Sequence, residues 1–369
     1  MISTIILIIL SSLIIFTLYR LSRYYKPKII VNTKGKVFEI LKRLKSLEIP
    51  YHPTAWLINR HIHTIWGMKF RGKSSHKPRR EEVYFEDGGQ VSVDWFEKEN
   101  LSKEAPILFI VHTLGGGTRE CCTNNFAYKA MQNNYRVLIC SCRGCNGSKI
   151  TSKKLYNGYK TDDLKTIITY ASKQFPESKH KYLTGFSLGA MITAQYAMEY
   201  EDIDAVLCIS HTIETKKTVD LLQQPIENFL YMNAIMKSLK HLVKKSTFFT
   251  EEEKNAALKT KTLYEFDDII TSKSIGLSGA DEYYKLIRLQ PKVKKFKIPI
   301  VIFVSEDDPF LSTEFIPIKD ITESDYCAFI TTPEGGHVSF CQGIDGKQSY
   351  VEDFALDYFN VVGQIKDNK

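Results

Sequence analysis

The chain has 369 residues, 43% of them hydrophobic and 25% charged, which is the balance of a folded globular protein and excludes a disordered one. The formal net charge of +8 is modest for this length and is spread along the chain, with small clusters at Lys77 to Arg80 and Lys292 to Lys297. No RRM, zinc-finger or basic-zipper pattern accompanies it, so no nucleic-acid partner is expected. The eight cysteines form neither a paired CxxC metal site nor a small disulfide framework. Several of them fall in apolar strand-like runs, which predicts free thiols in a reducing environment.

Residues 2–19 form an almost unbroken apolar run without a charge. As a helix, its roughly 18 residues would span about 27 Å, close to the thickness of a bilayer core. A cleaved signal peptide would want a basic start and a small-residue cleavage site. This run starts with no Lys or Arg and ends in Thr17, Leu18, Tyr19 and Arg20. The expectation is a retained, single-pass transmembrane anchor. Arg20, Arg23, Lys26 and Lys28 follow it, and the positive-inside rule then places the folded domain on the cytoplasmic side. Residues 20–50 are expected to be a basic connector near the membrane surface, and residues 51–365 the folded domain.

From Glu82 the pattern becomes a hairpin, with Val83 and Phe85 leading into Asp87-Gly88-Gly89 and Val91, Val93 and Trp95 alternating after it. Short apolar runs at 107–112, 136–142, 181–186, 205–210, 298–305 and 327–331 read as buried strands. Helical patterns at 161–175, 188–200 and 349–359 lie among them. The expected class is α/β, a mostly parallel sheet covered by helices on both faces. Residues 212–296 interrupt the alternation with helical patterns and no convincing strand. They predict a helical cap between two sheet strands, either a lid that contacts substrate or plain helix packing.

Gly185-Phe186-Ser187-Leu188-Gly189 matches G-x-S-x-G and sits between a predicted strand and a predicted helix. That context turns a short pattern into a nucleophile elbow, because the strained turn needs small neighbours to project the serine hydroxyl. A serine hydroxyl is a weak nucleophile at neutral pH and needs an adjacent base. The partners follow the elbow in the order acid, then histidine. His337 lies in Gly335-Gly336-His337, just after the last predicted strand. Asp308 lies in Glu306-Asp307-Asp308-Pro309, at the C-terminal end of the strand before it. Counting three residues on from Ser305 selects Asp308 as the acid, with Asp307 its competitor. The developing oxyanion needs preorganised donors. The backbone N–H of Leu188 is one candidate. The backbone N–H of Leu114, in the loop His112-Thr113-Leu114-Gly115-Gly116-Gly117, is the other. That glycine run lacks the P-loop arrangement and does not point to nucleotide binding.

Several further stretches resemble the AB hydrolase superfamily, family 4, the group of membrane-bound ABHD lipases, YheT-like esterases and yeast medium-chain fatty acid ethyl ester synthases. They are Pro53 to Leu57, Asn59 to Ile65, Leu114 to Glu120, Arg143 to Cys145, Gly185 to Ala190, Asp307 to Phe310 and Gly335 to Val338, with Phe266 to Asp268 and Tyr283-Tyr284 in the insertion. The resemblance covers roughly residues 50 to 360. It implies an α/β-hydrolase fold and ester chemistry on fatty-acyl substrates, with Ser187, Asp308 and His337 at the charge-relay positions. Thr113, where the family often has glycine, and Cys121-Cys122, where Ser-Tyr is common, depart from the pattern.

The expected function is therefore a serine esterase or lipase acting on a membrane lipid ester of the monoacylglycerol or phospholipid type. Two alternatives stand beside it. One is an ester synthase that passes the acyl group to an alcohol, although the HxxxxD signature of some acyltransferases is missing. The other is a non-enzymatic membrane protein that uses the fold for partner binding. No metal or diffusible cofactor is implied.

Overall fold

The computed structural model describes residues 2–368, apart from the side chains of residues 2–4 and 7–8. The strands of its main sheet are β1 (Lys28–Ile30), β2 (Arg79–Tyr84), β3 (Gln90–Phe96), β4 (Ile107–Val111), β5 (Arg136–Cys140), β6 (Lys181–Phe186), β7 (Ala205–Ile209), β8 (Ile300–Ser305) and β9 (Cys327–Thr332). They pair in the order β1-β9-β8-β7-β6-β4-β5-β3-β2. From β5 to β9 all neighbours are parallel. The β2–β3 hairpin adds antiparallel strands at one edge, and β1 adds one at the other.

The inner strands are apolar throughout because both faces of the sheet are covered. In β4, Ile107, Phe109 and Val111 join the core on one side, and Leu108 and Ile110 join the core on the other. The first side is packed by the helices Asp162–Gln174 and Leu188–Glu199. The second is packed by Cys121–Gln132 and by the closing helix Tyr350–Asp367, which runs well past its expected end at 359. The chain leaves β4 toward β5 on one side, and β6 lies on the other. This reversal opens a crevice at the C-terminal ends of β4 and β6, where ligand sites gather in α/β sheets.

The expected insertion is present between β7 and β8. It contains the helices Thr215–Leu221, Asn233–Lys245, Glu251–Lys259 and Ala280–Ile287, with no strand among its described residues. It is fastened to the N-terminal segment by Arg60, whose guanidinium lies 2.6 Å from Glu227, and by His61, whose Nδ1 lies 3.0 Å from the Tyr231 hydroxyl.

Two N-terminal expectations need correction. Residues 20–50, expected as a connector ahead of the folded domain, are part of that domain. They carry β1, which pairs with β9, and the helix Lys36–Leu41, which buries Val37, Ile40 and Leu41. The segment expected to be a transmembrane anchor forms the helix Ile2–Ser22, but among the described residues no helix is long and apolar enough to cross a membrane. Part of that expectation falls on side chains outside the description.

Candidate active site

Ser187 follows β6 directly and is the N-terminal cap residue of the helix Leu188–Glu199, with φ 56° and ψ −115°, a conformation that a residue with a side chain adopts only under constraint. The constraint is close packing. A Cβ on Gly185 would lie 2.2 Å from the Gly189 carbonyl oxygen, and one on Gly189 would lie 2.3 Å from that of Val111. The two glycines therefore let the helix start directly against β4 and β6, leaving the Ser187 side chain at the crevice.

His337 meets Ser187 from the loop after β9. Its Nε2 lies 2.8 Å from the Ser187 hydroxyl, and its Nδ1 lies 2.8 Å from Oδ2 of Asp308. The other carboxylate oxygen of Asp308 accepts the N–H of Phe310 at 2.8 Å. His337 and Asp308 are both nearly inaccessible, so the contact between them is shielded from water. The neighbouring acid is turned elsewhere: Oδ1 of Asp307 accepts the N–H of Gly336 at 2.9 Å. Burial holds the Asp307 carboxyl up at about 6. Of the two candidate acids, Asp308 is the one that reaches the imidazole.

The histidine loop is tethered from several directions. The His337 N–H donates to the Thr64 hydroxyl at 2.9 Å, and the Val338 N–H donates to Ser210 at 3.0 Å. The Ser305 hydroxyl donates to the Gly336 carbonyl at 2.8 Å. Gly336 has φ +59°, and a Cβ there would lie 2.8 Å from Oγ1 of Thr64. Glu334, three residues before His337, receives Arg20, Arg23 and the Tyr25 hydroxyl. Thr64 and Glu334 were missed as supports of the site. Thr64 belongs to the 59–65 signature, but its partner is 273 residues away, and spacing gives no sign of that contact.

The loop after β4 supplies the other wall. The N–H of Leu188 is the first of its helix and has no partner within it. The N–H of Leu114 hydrogen-bonds to no backbone carbonyl among the described residues. Leu114 and Leu188 both line the cavity at Ser187. The loop is braced by Glu120, which accepts from the Thr113 hydroxyl, from the Gly117 N–H at 3.3 Å and from the Thr123 hydroxyl at 3.1 Å. Thr113 thus gives this loop a side-chain anchor that glycine would lack. Cys122 and Cys145, near the site in sequence, are buried free thiols, and burial pushes the Cys145 thiol up to about 12. Neither is poised as a nucleophile.

Two cavities share Ser187, Leu114, Ile235 and Phe310. One runs under the cap and is mostly apolar, lined by Leu188, Met191, Val219, Leu222, Leu239 and Ile287. Asp267, also in its wall, is held up at about 6 by burial. The other contains His337 with Met68, Lys69, Leu230 and Tyr231.

Residues 106–342 match the family model described as alpha/beta hydrolase fold. The chain is 26% identical to the human protein named Phospholipase ABHD3, over 84% of this chain and 78% of that one. It is 28% identical to the Saccharomyces cerevisiae protein named Monoacylglycerol lipase, over 69% of this chain and 59% of that one. Among solved structures, the Pyrococcus furiosus esterase Pf2001 superposes with a TM-score of 0.50 at 14% identity, covering 80% of this chain and 93% of that one, a likeness of fold.

Proposed function

We propose that this chain, which belongs to the alpha/beta hydrolase fold family and is a carboxylic ester hydrolase, cleaves fatty-acyl lipid esters through an acyl-enzyme on Ser187. The observation that carries the assignment is the hydrogen-bonded line from the Ser187 hydroxyl through both nitrogens of His337 to Asp308.

His337 takes the hydroxyl proton as Ser187 attacks the ester carbonyl. The buried Asp308 carboxylate fixes the tautomer that leaves Nε2 free to accept, and it stabilises the imidazolium that forms. The N–H groups of Leu188 and Leu114 stabilise the tetrahedral oxyanion, a contribution of about 3–4 kcal/mol per donor in comparable sites. The C–O bond to the alcohol breaks, and the departing oxygen takes the proton from His337. Water, activated by the same histidine, then releases the fatty acid and frees Ser187. The apolar cavity beneath the cap suits an acyl chain, and two relatives carry lipase names.

Work at a lipid surface is part of the proposal. The helix Ile2–Ser22 exposes Ile9, Leu13, Ile14, Ile15, Leu18 and Leu21, a surface that water disfavours and lipid accepts. Lys26 and Lys28 beyond it favour the cytoplasmic face. Deleting residues 2–19 should release the protein from vesicles on flotation.

The chemistry is tested with Ser187→Ala. This variant should fold, lose hydrolysis of a p-nitrophenyl acyl ester and lose labelling by a fluorophosphonate. Retention of full activity refutes the assignment.

A further inference from the structure

Resting on the hydrolase reading of Ser187, we infer that Phe310 is a further catalytic residue, whose aromatic face stabilises the imidazolium that forms on His337 as Ser187 attacks. The ring of Phe310 lies against that of His337, with centroids 4.3 Å apart and planes inclined by 34°. Both nitrogens of His337 are engaged, Nε2 with Ser187 and Nδ1 with Asp308, so the polar positions on its edge are taken and its faces remain. The face of a phenyl ring is the negative part of its quadrupole and attracts a cation within about 6 Å of the centroid. A neutral imidazole gains little from that field. The ring becomes a cation only when the Ser187 hydroxyl proton has passed to Nε2. The contact is therefore stronger in the transition state than in the resting enzyme, which is the condition for raising a rate rather than tightening binding.

Phe310 is fixed for this contact by its backbone and by its neighbours. Its N–H donates to Oδ1 of Asp308 at 2.8 Å, and its carbonyl accepts from the Thr218 hydroxyl at 2.7 Å. The Tyr231 ring packs on it with centroids 4.8 Å apart, and the Tyr231 hydroxyl lies 3.0 Å from Nδ1 of His61. His337 is 2% exposed and Phe310 9%, so water is largely kept from the charge. A cation–π contact is worth most where it is desolvated. The turn Asp308-Pro309-Phe310 thus brings two partners to one imidazolium, a carboxylate at its edge and a π-face across it. Other carboxylates nearby are engaged elsewhere: Asp307 accepts the Gly336 N–H, and Glu334 is paired with Arg20 and Arg23.

Phe310 also borders both cavities at Ser187. A role as wall alone would depend on the shape of the ring, whereas the inferred role depends on its charge distribution. Ring fluorination separates the two, because fluorine withdraws charge from the π-face and changes the outline little. Phenylalanine analogues with successively more ring fluorines are placed at position 310 by stop-codon suppression. They are assayed on a p-nitrophenyl acyl ester and by the rate of fluorophosphonate labelling. Both kcat and the labelling rate should fall steadily with fluorine content, to a loss of about tenfold in the fully fluorinated ring, with little change in KM. Phe310→Leu stays apolar but has no π-face, and it should lose about as much. A flat series overturns the inference, and so does a loss confined to KM or a Phe310→Leu protein with undiminished kcat. Should Phe310→Leu not fold, the fluorine series decides alone. An unsubstituted protein that neither hydrolyses the ester nor reacts with the fluorophosphonate overturns the hydrolase reading and this inference with it, whereas an active protein with a flat series overturns the inference only.

Discussion

Replacing Asp308 by asparagine removes one charge and changes almost no volume, yet the structure assigns it a large effect. Oδ1 of Asp308 accepts from the Phe310 N–H at 2.8 Å, and Oδ2 accepts from His337 Nδ1 at 2.8 Å. Asparagine has one acceptor oxygen. If that oxygen keeps the Phe310 N–H, the amide NH2 faces His337 and donates to Nδ1. The imidazole must then carry its proton on Nε2, which faces Ser187 and can no longer accept the hydroxyl proton. Loss of the base and of the charge opposite the imidazolium should lower kcat by about 10³–10⁴, or roughly 4–5 kcal/mol. Asp307→Asn is the control. Its oxygen can still accept from Gly336, so a change of only a few-fold is expected. Steady-state kinetics on a p-nitrophenyl acyl ester, with the second-order rate of fluorophosphonate labelling as an independent readout, measures both. An Asp308→Asn protein with more than about a tenth of the activity, or an Asp307→Asn protein equally impaired, refutes the reasoning.

Gly189→Ala would put a methyl group 2.3 Å from the Val111 oxygen and 2.6 Å from the His112 oxygen, so the helix behind Ser187 must move off β4. A loss of about 3 kcal/mol is expected, read by denaturant unfolding, and an unchanged midpoint would show that this contact relaxes freely. Thr64→Val strands the His337 N–H in a buried site, at a cost of about 1–3 kcal/mol, and should lower kcat more than it changes KM. Thr64→Ser should restore kcat, and failure to do so would remove the hydroxyl from the account. Asp267 is raised to about 6 by burial, so the folded state holds its proton more tightly than the unfolded chain, where the carboxyl titrates near 3.8. Its contribution to stability is therefore present below about pH 4 and is lost as pH rises to about 6, on the order of 3 kcal/mol. Asp267→Asn should reduce that decline in the pH dependence of unfolding, and an identical profile in the two proteins would contradict it.

The inner strands were legible because each is apolar on both faces, and a parallel sheet demands that of every strand it encloses. The elbow was legible because its two glycines answer to a steric need that no other residue meets. His337 could be placed by chain order and by the strand before it. The choice between Asp307 and Asp308 could not be made on the same footing. It depends on which of two adjacent carboxylates meets the Phe310 N–H and which meets the Gly336 N–H, and that follows from the path of a turn rather than from residue type. Lys28–Ile30 was illegible for another reason. Three residues in a basic stretch give no periodicity, and their partners lie some 300 positions away, Lys28 opposite Thr331 and Ile30 opposite Phe329.

That hidden pairing bears on the chemistry. A loop carrying Gly335 and Gly336 has little stiffness of its own, yet the His337 ring must be held between Ser187 and Asp308 to within about half an ångström. The stiffness is supplied from outside. Thr64 holds the histidine backbone, Ser210 the residue after it and Asp307 the residue before it, while Glu334 is gripped by Arg20, Arg23 and Tyr25. Val338 and Phe340 are forced to positive φ, 54° and 46°, which a loop sustains only when its surroundings over-determine it. Arg20 is itself buried, with further hydrogen bonds to the carbonyls of Ala55 and Leu57. Removing either member of a buried ion pair leaves the other uncompensated. The end of the apolar N-terminal helix is therefore fastened to the loop that bears the base.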